Sequence, residues 1–414
     1  VERGGPVRLH GGLEQDRAVA LVAERQGRDR RRGSREVKLA ALACFSLALL
    51  AACPERTKGE AKDAGTDAGT APLVDAGSRE PPPAAPSFSE ARAPGGLWGE
   101  VLDAGLVLLF SSERAGAPQL HVLDGERERA LTTGPAHHLQ DVAWRRREAL
   151  VTRVDEPSEQ LLAVSLADGG VREVCPPMEK AHGASLSADE RTVVFEASLT
   201  HAASIAAAPF DGAAPPRAVA ELGETGSFQP ALTRDDRLVF TNSSSGDPEL
   251  YLQPLDGGAV TRLTAFHLED FGGVPSPDGQ RFAFVSNREG NDRVFVQRLD
   301  GRGVFRAMNE ARGPDDVESD PVWMPDGASL LVTVRAKGVA RIARVDLSSR
   351  KTAWRSAGPG NDQLPRPSPD GRFIAFVSDR AGSPDVWVMR ANGKDATPLT
   401  VHPAPEYGPR WAPR

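Results

Sequence analysis

The chain has 414 residues, of which 40% are hydrophobic and 26% charged, with a formal charge of -7 and three cysteines. That balance excludes wholesale disorder, a disulfide-dense scaffold and a nucleic-acid-binding surface. The 41 Gly and 34 Pro predict many turns or a long linker.

In chain order, residues 1–36 fit neither a signal nor a domain. They carry the basic run Arg28, Arg30, Arg31, Arg32, begin with Val, and are read as a leader upstream of a true start near Val37. Residues 37–52 read as a lipoprotein signal peptide. Arg35 and Lys38 precede the uncharged stretch Leu39 to Ala52, giving the charged, apolar and small-residue order of a secretory signal. Leu50-Ala51-Ala52-Cys53 resembles a bacterial lipobox, which implies that Cys53 becomes the first mature residue and carries lipid. Two or more acyl chains suffice for stable anchoring. Removing residues 1–52 leaves 40 Lys+Arg against 51 Asp+Glu, a charge of -11. Residues 53–95 read as a disordered tether, rich in Ala, Pro, Gly and Asp, with three Asp-Ala-Gly copies and Pro81-Pro82-Pro83. Such a segment cannot bury enough apolar surface to offset its ordering entropy.

Residues 96–414 repeat. The clearest unit runs Ser368-Pro369-Asp370-Gly371, then Arg372 to Val377 with period-two alternation, Asp385 to Met389, Asn392-Gly393 and Thr397 to Thr400. Ser-Pro-Asp-Gly and Asn-Gly are turn chemistry, and the segments between them are strand-like. Each unit therefore predicts four antiparallel strands, A to D. Positions equivalent to Phe376 are Phe110, Thr152, Phe195, Phe240, Phe284 and Val332, spaced 42 to 48 residues apart. This predicts an all-β, seven-bladed β-propeller, with six or eight blades as alternatives. The terminal Pro409-Arg410-Trp411-Ala412-Pro413 has no blade after it, so it is expected to supply strand A of the first blade and close the ring. Trp144, Trp323 and Trp411 fall on one strand-A position and are expected in the core between blades. His121, on strand C, is expected to pack.

The repeat resembles that of the TolB-type WD-like β-propellers over the whole of residues 96–414. The resemblance implies an exported, periplasmic, non-catalytic propeller. The type protein belongs to the Tol-Pal envelope system and binds a peptidoglycan-associated lipoprotein. The chain departs from it in carrying a lipobox and in having only a linker where that protein has an α/β domain.

No nucleophile elbow, H-E-x-x-H, P-loop or C-x-x-C occurs, so neither enzyme chemistry nor a cofactor or metal is expected. Cys175 is expected to be a small core residue. The D-to-A and B-to-C loops of a propeller share one face. Asp270, Glu318, Asp362 and Glu406 occupy one repeat position at the ends of D-to-A loops, where Leu139, Ala181 and Ser227 are the expected counterparts in the remaining blades. His137, His138, His182, His267 and His402, with His201, map to the same face. The expectation is an acidic half ring, faced by histidines, that binds a partner or cation at the channel mouth. The alternative is that polar loops simply collect such residues. Arg288 and Arg380 follow strand B at matching positions and are expected to pair with an acid. The sequence thus predicts a monomeric, lipid-anchored propeller that binds an envelope protein or peptide, on a membrane face or the cell surface. A small-ligand, glycan or cation sensor is the alternative, and a propeller hydrolase or lyase a third.

Overall fold

The computed structural model describes residues 96–414 except 126, 200–203, 221, 223–225, 311, 312 and 314. The expected leader, signal, Cys53 and tether lie outside the described residues, as does His201.

Seven four-stranded antiparallel sheets form the blades. Six are built from consecutive strands; the seventh takes its inner strand, β28 (Glu406–Pro413), from the chain end, followed in order by β1 (Leu106–Ser112), β2 (Gln119–Asp124) and β3 (Arg127–Ala130). Strand β28 pairs with β1 from Leu106↔Pro413 to Ser112↔Glu406. This is blade 1, and the others come after it in chain order. The A strands of successive blades neighbour one another around an axial channel, with β28 between β24 (Asp362–Pro367) of blade 7 and β4 (Ala136–Ala143) of blade 2.

The turn chemistry works as its residues require. Ser276 and Ser368 each donate a hydroxyl to the Asp two residues on, and each accepts the backbone N–H that opens strand B, Arg281 at 3.0 Å and Phe373 at 2.9 Å. In the outer turns, Gly212 and Gly393 have positive φ and sit against the backbone of the preceding blade. A Cβ there would lie 2.6 Å from the carbonyl oxygen of Glu173 or Arg355. Only glycine meets both demands.

Core clusters lie between successive blades. Phe110, Phe195, Phe240, Phe284 and Phe376 are fully buried at the repeat position read from the sequence. Burying one such side chain stabilises by about 2 kcal/mol.

Blade 2 departs from the expected register. Val151, not Thr152, stands where Phe376 stands in blade 7. Val151 packs against Val107 and Leu109 of blade 1, as Phe376 packs against Leu331 and Ile342 of blade 6. Thr152 faces the other way and donates to the Ala181 carbonyl of blade 3 at 2.9 Å. A one-residue shift reverses the face in a strand. Trp323 and Trp411 do share one position: they pair with Leu330 and Leu108, two residues before the Phe376 equivalent. Their indoles donate to the Val274 and Arg366 carbonyls of the preceding blade, each at 2.9 Å. In blade 2 that position is Val142, paired with Ala149. Trp144 lies beyond the strand end and is half-buried, but it still packs against the core clusters on both sides of blade 1.

One element was not expected. Leu97–Asp103 forms a short helix, α1. Leu97, Trp98, Val101 and Leu102 are buried against Leu106 and Leu108 of blade 1 and Phe373 of blade 7. Their i, i+1, i+4, i+5 spacing makes one helical face, but seven residues are too few for periodicity to announce it. The Trp98 indole donates to the Gly125 carbonyl at 2.8 Å, and Glu100 takes both ends of the Arg390 fork at 2.8 and 2.5 Å. The helix thus ties blade 1 to blade 7 across the closure.

Candidate functional site

Each A strand carries two residues that define rings around the axis. The first ring lies at the strand start. By strand register it comprises Glu406, His137, Ala181, Ser227, Asp270, Glu318 and Asp362 in blades 1 to 7. His137 takes the place expected of Leu139, in line with the register shift in blade 2. All seven are buried.

Each of the four carboxylates expected as an acidic half ring is paired with an arginine, although Asp270 Oδ1 and Glu406 Oε2 are buried without a hydrogen-bond partner among the described residues. Asp362 accepts both ends of the Arg380 fork, at 3.0 and 2.5 Å, and the Ser378 hydroxyl at 2.8 Å. Asp270 pairs with Arg288 at 2.8 Å and Glu318 with Arg306 at 3.0 Å. Glu406 pairs with Arg114 and accepts the Ser112 hydroxyl at 3.2 Å. Burial nonetheless pushes the Glu406 carboxyl up to about 7, with Arg114 pulling the other way. In blades 1, 5 and 7 a Ser-x-Arg segment after strand B supplies the arginine. Arg288 also lies 4.6 Å from the Phe295 ring centroid, and Arg380 5.2 Å from Trp387. The arginines are thus held by aromatic faces as well as by the acids.

The histidines divide. His182 lies between two carboxylates, with Nδ1 2.6 Å from Glu159 and Nε2 3.4 Å from Glu196. These hydrogen bonds and charges, opposed by burial, raise its pKa to about 9. Glu159 also accepts the Ala181 N–H at 2.7 Å, and Glu196 the Gln229 N–H at 2.9 Å. The group therefore links blades 2, 3 and 4. His138 is half-buried; burial lowers its pKa, while Glu159 pulls it upward. His137 is buried, with Nδ1 2.7 Å from the Pro135 carbonyl. His267 is exposed and meets Phe266 edge-on at 5.4 Å. His402 accepts the Ala404 N–H at 3.0 Å, while its own backbone N–H donates to Asp385 at 2.9 Å. His121 packs 5.5 Å from Phe110 and also meets Glu128 at 2.9 Å. His182 and His138 both lie near Glu159, and His137 and His182 are close enough for their charges to act on His138. The partners of His182, Glu159 and Glu196, lie on strands C and B, where no motif marks them. Among the described residues, no group of three or more His, Cys, Asp or Glu could hold a metal ion. Cys175 is buried, and burial pushes its thiol up to about 11.

The second ring lies four residues further along each strand. It comprises Arg410, Asp141, Ser185, Ala231, Val274, Val322 and Arg366 in blades 1 to 7, each paired with the residue before the Phe376 equivalent. Every one is half-buried. A break in pairing separates the two rings in each strand. At that break in six blades sits a left-handed residue: Gly183, Gln229, Gly272, Asp320, Leu364 or Gly408, with φ of 50 to 66°. The bulge re-aims the residues beyond it. Side chains of the second ring reach toward the next blade: Asp141 accepts the Leu186 N–H at 3.0 Å, and Arg410 contacts the Gln140 carbonyl at 3.4 Å. This ring brings charge to the channel, and the sequence reading does not single it out. Counting four residues on from Asp362 or Glu406 would have found its two arginines.

Residues 313–414 match the family model described as the TolB beta propeller domain, PD40. A TolB homologue of Chlorobium luteolum is 29% identical over 152 residues, 37% of this chain and 34% of that protein. The chain spans about a third of the length of that curated relative. Among solved structures, TolB from Acinetobacter baumannii aligns with a TM-score of 0.50 and 16% identity, over 75% of this chain and 67% of that one. A puromycin-hydrolyzing peptidase from Mycobacterium tuberculosis aligns with a TM-score of 0.58 and 14% identity, over 72% and 51%. At such identities the structural likeness shows the fold alone. The propeller is TolB-like, and the same architecture carries a hydrolase elsewhere.

Proposed function

We propose that the chain is an exported, lipid-anchored, non-catalytic propeller that binds a protein or peptide partner in the cell envelope. The supporting observation is the distribution of exposed apolar side chains. Among the described residues, Leu199, Phe266 and Val401 are 37, 39 and 57% exposed in D-to-A or B-to-C connections, and Val339, 39% exposed, opens strand C beside such a connection. The remaining exposed large hydrophobics, Val171, Val260, Val304 and Trp354, lie on or next to the outer D strands. Beneath the loop residues the charges of the first ring are already paired. A face of apolar side chains over ion pairs suits contact with another protein better than capture of a cation. Each first-ring carboxylate has an arginine partner, and burial keeps the Cys175 thiol protonated at neutral pH. The TolB-like repeat agrees with an envelope role, and the lipobox at Cys53 with an anchor.

The test is site-specific photocrosslinking in intact envelopes. Crosslinkers at Phe266 and Val401 should give one discrete adduct, and crosslinkers at Val171 and Trp354, on outer strands, should give none. Equal labelling from both regions, or none from the loops, would sink the partner reading. Separately, Cys53→Ser should release the protein from membranes; continued membrane association would remove the anchor from the proposal.

A further inference from the structure

Arg366 and Arg410 stand on neighbouring innermost strands, β24 and β28, at the same ring position. They differ from the first-ring arginines in one respect. Arg114, Arg288, Arg306 and Arg380 each hold a buried carboxylate. Among the described residues, neither Arg366 nor Arg410 has a carboxylate within ion-pair distance. Arg366 donates to its own neighbour, the Pro365 carbonyl, at 2.9 Å. Arg410 makes only long contacts, 3.3 Å to the Pro409 carbonyl and 3.4 Å to that of Gln140. Two guanidinium groups offer about ten N–H donors between them, and the three contacts above use only a few of them.

We propose that Arg366 and Arg410 form a carboxylate-binding site in the axial channel. Two like charges stand on neighbouring strands near the axis, and neither has the direct ion pair that every first-ring arginine has. Burial lowers both their pKa values, that of Arg366 to about 9 with Arg410 adding to the effect. An anion between the two forks relieves that repulsion and takes the geometry guanidinium favours. The neighbours set the anion's charge. Asp141 and Asp320 act on Arg366 as nearby opposite charges. Asp141 is occupied by the Val142 and Leu186 N–H groups at 2.8 and 3.0 Å, and Asp320 by the Ser319 hydroxyl at 3.1 Å. Two arginines and two aspartates sum to zero, so a singly charged carboxylate fits better than a doubly charged phosphate. The inference rests on the second ring alone and does not depend on what binds the loop face.

The test uses the purified full chain and measures melting temperature in sodium acetate, phosphate and chloride at matched ionic strength. Acetate at 100 mM should raise the midpoint by about 2 °C over chloride, and phosphate by less. Arg366→Gln and Arg410→Gln should abolish the acetate shift. In chloride both variants should melt at or above the parent, because one of two repelling charges is gone; a merely structural arginine would lower the midpoint instead. Should either fail to fold, Arg366→Lys keeps the charge, loses the fork, and should weaken acetate binding about tenfold. A capped glutamate peptide identifies the source. Binding more than ten times tighter than acetate points to a segment of a partner, and equal binding to a small free acid. No acetate shift in the parent, an equal shift in Arg366→Gln, or a larger shift with phosphate would overturn the site. None of these results would change crosslinking at Phe266, so the two readings fail separately.

Discussion

Two rings on the same seven strands, four residues apart, put charge to opposite uses. At the strand start, Asp270, Glu318, Asp362 and Glu406 are wholly buried, and each meets an arginine. Four residues on, Arg366, Arg410 and Asp141 are half-buried, and no ion pair closes them. At the first ring in blades 1, 5 and 7, the chain leaving strand B folds its Ser-x-Arg segment back over the acid, and in blade 6 Arg306 reaches Glu318 from strand D of blade 5. At the second, a break in pairing leaves the side chains beside the channel, with a left-handed residue at the break in every blade but blade 2. A charge in a repeat is thus read by what the neighbouring strand brings to it. The same residue types serve as mortar at one level and as an offered surface at the next.

The largest effect that would break this comparison is on closure itself. Deleting residues 405–414 removes β28, with both Glu406 and Arg410, and exposes the pairing edge of β1. Cooperative thermal unfolding followed by circular dichroism should disappear, because the ring has no other inner strand for blade 1. An unchanged melting curve would mean that neither ring needs closure. Next in size is Asp362→Ala. It strands the Arg380 guanidinium against Trp387 and should cost about 3–5 kcal/mol in urea unfolding. Arg410→Gln should cost nothing measurable in the same assay. Equal losses would erase the distinction between the rings.

A smaller effect comes from His182, which links blades 2, 3 and 4. Its folded pKa, about 9, lies above the ordinary 6.5. The stability it contributes is fully present below pH 6.5 and is lost as pH rises through 9. Unfolding free energy should fall by about 3 kcal/mol over that window. His182→Gln should lower stability throughout and flatten the slope between pH 6.5 and 9. An unchanged slope would show that His182 is not charged between its two glutamates.

Legibility in the sequence differs from blade to blade. Blade 7 can be read outright, because Ser368-Pro369-Asp370-Gly371 fixes the turn and the alternation after it fixes the face. Closure is legible because Trp411 repeats Trp323 with no blade after it. The pairing of Arg288 and Arg380 with acids can be read from their matching positions. Blade 2 cannot be registered. Where blade 7 has Pro-Asp-Gly it has Trp144-Arg145-Arg146, and nothing in those residues pins the turn. Repeat spacing therefore puts Leu139 and Thr152 where His137 and Val151 stand. Arg114 follows strand B as Arg288 and Arg380 do, but the partner of Glu318 is Arg306, which reaches it from strand D of blade 5, and spacing alone does not reveal that pair. The second ring escapes because arginine, aspartate, serine, alanine and valine share no type; only strand register groups them.

The smallest prediction bears on that register. Trp411 and Trp323 donate to carbonyls of the preceding blade at 2.9 Å, and the acceptor of Trp411 belongs to Arg366 of the second ring. Replacing either with Phe keeps most of the buried area and removes one hydrogen bond, so each should cost about 1 kcal/mol. Trp144 lies past the end of β4, with Val142 in the equivalent place. Trp144→Phe should therefore cost less than about 0.5 kcal/mol, as a partly exposed substitution does. Val142→Ala, which empties space between blades 1 and 2, should cost more than Trp144→Phe, about 2 kcal/mol. If Trp144→Phe instead matched Trp411→Phe, blade 2 would sit in the register its tryptophan suggests. Leu139 would then replace His137 at the first ring, and Asp141 would leave the second. The charge balance that favours a carboxylate beside Arg366 and Arg410 would go with it.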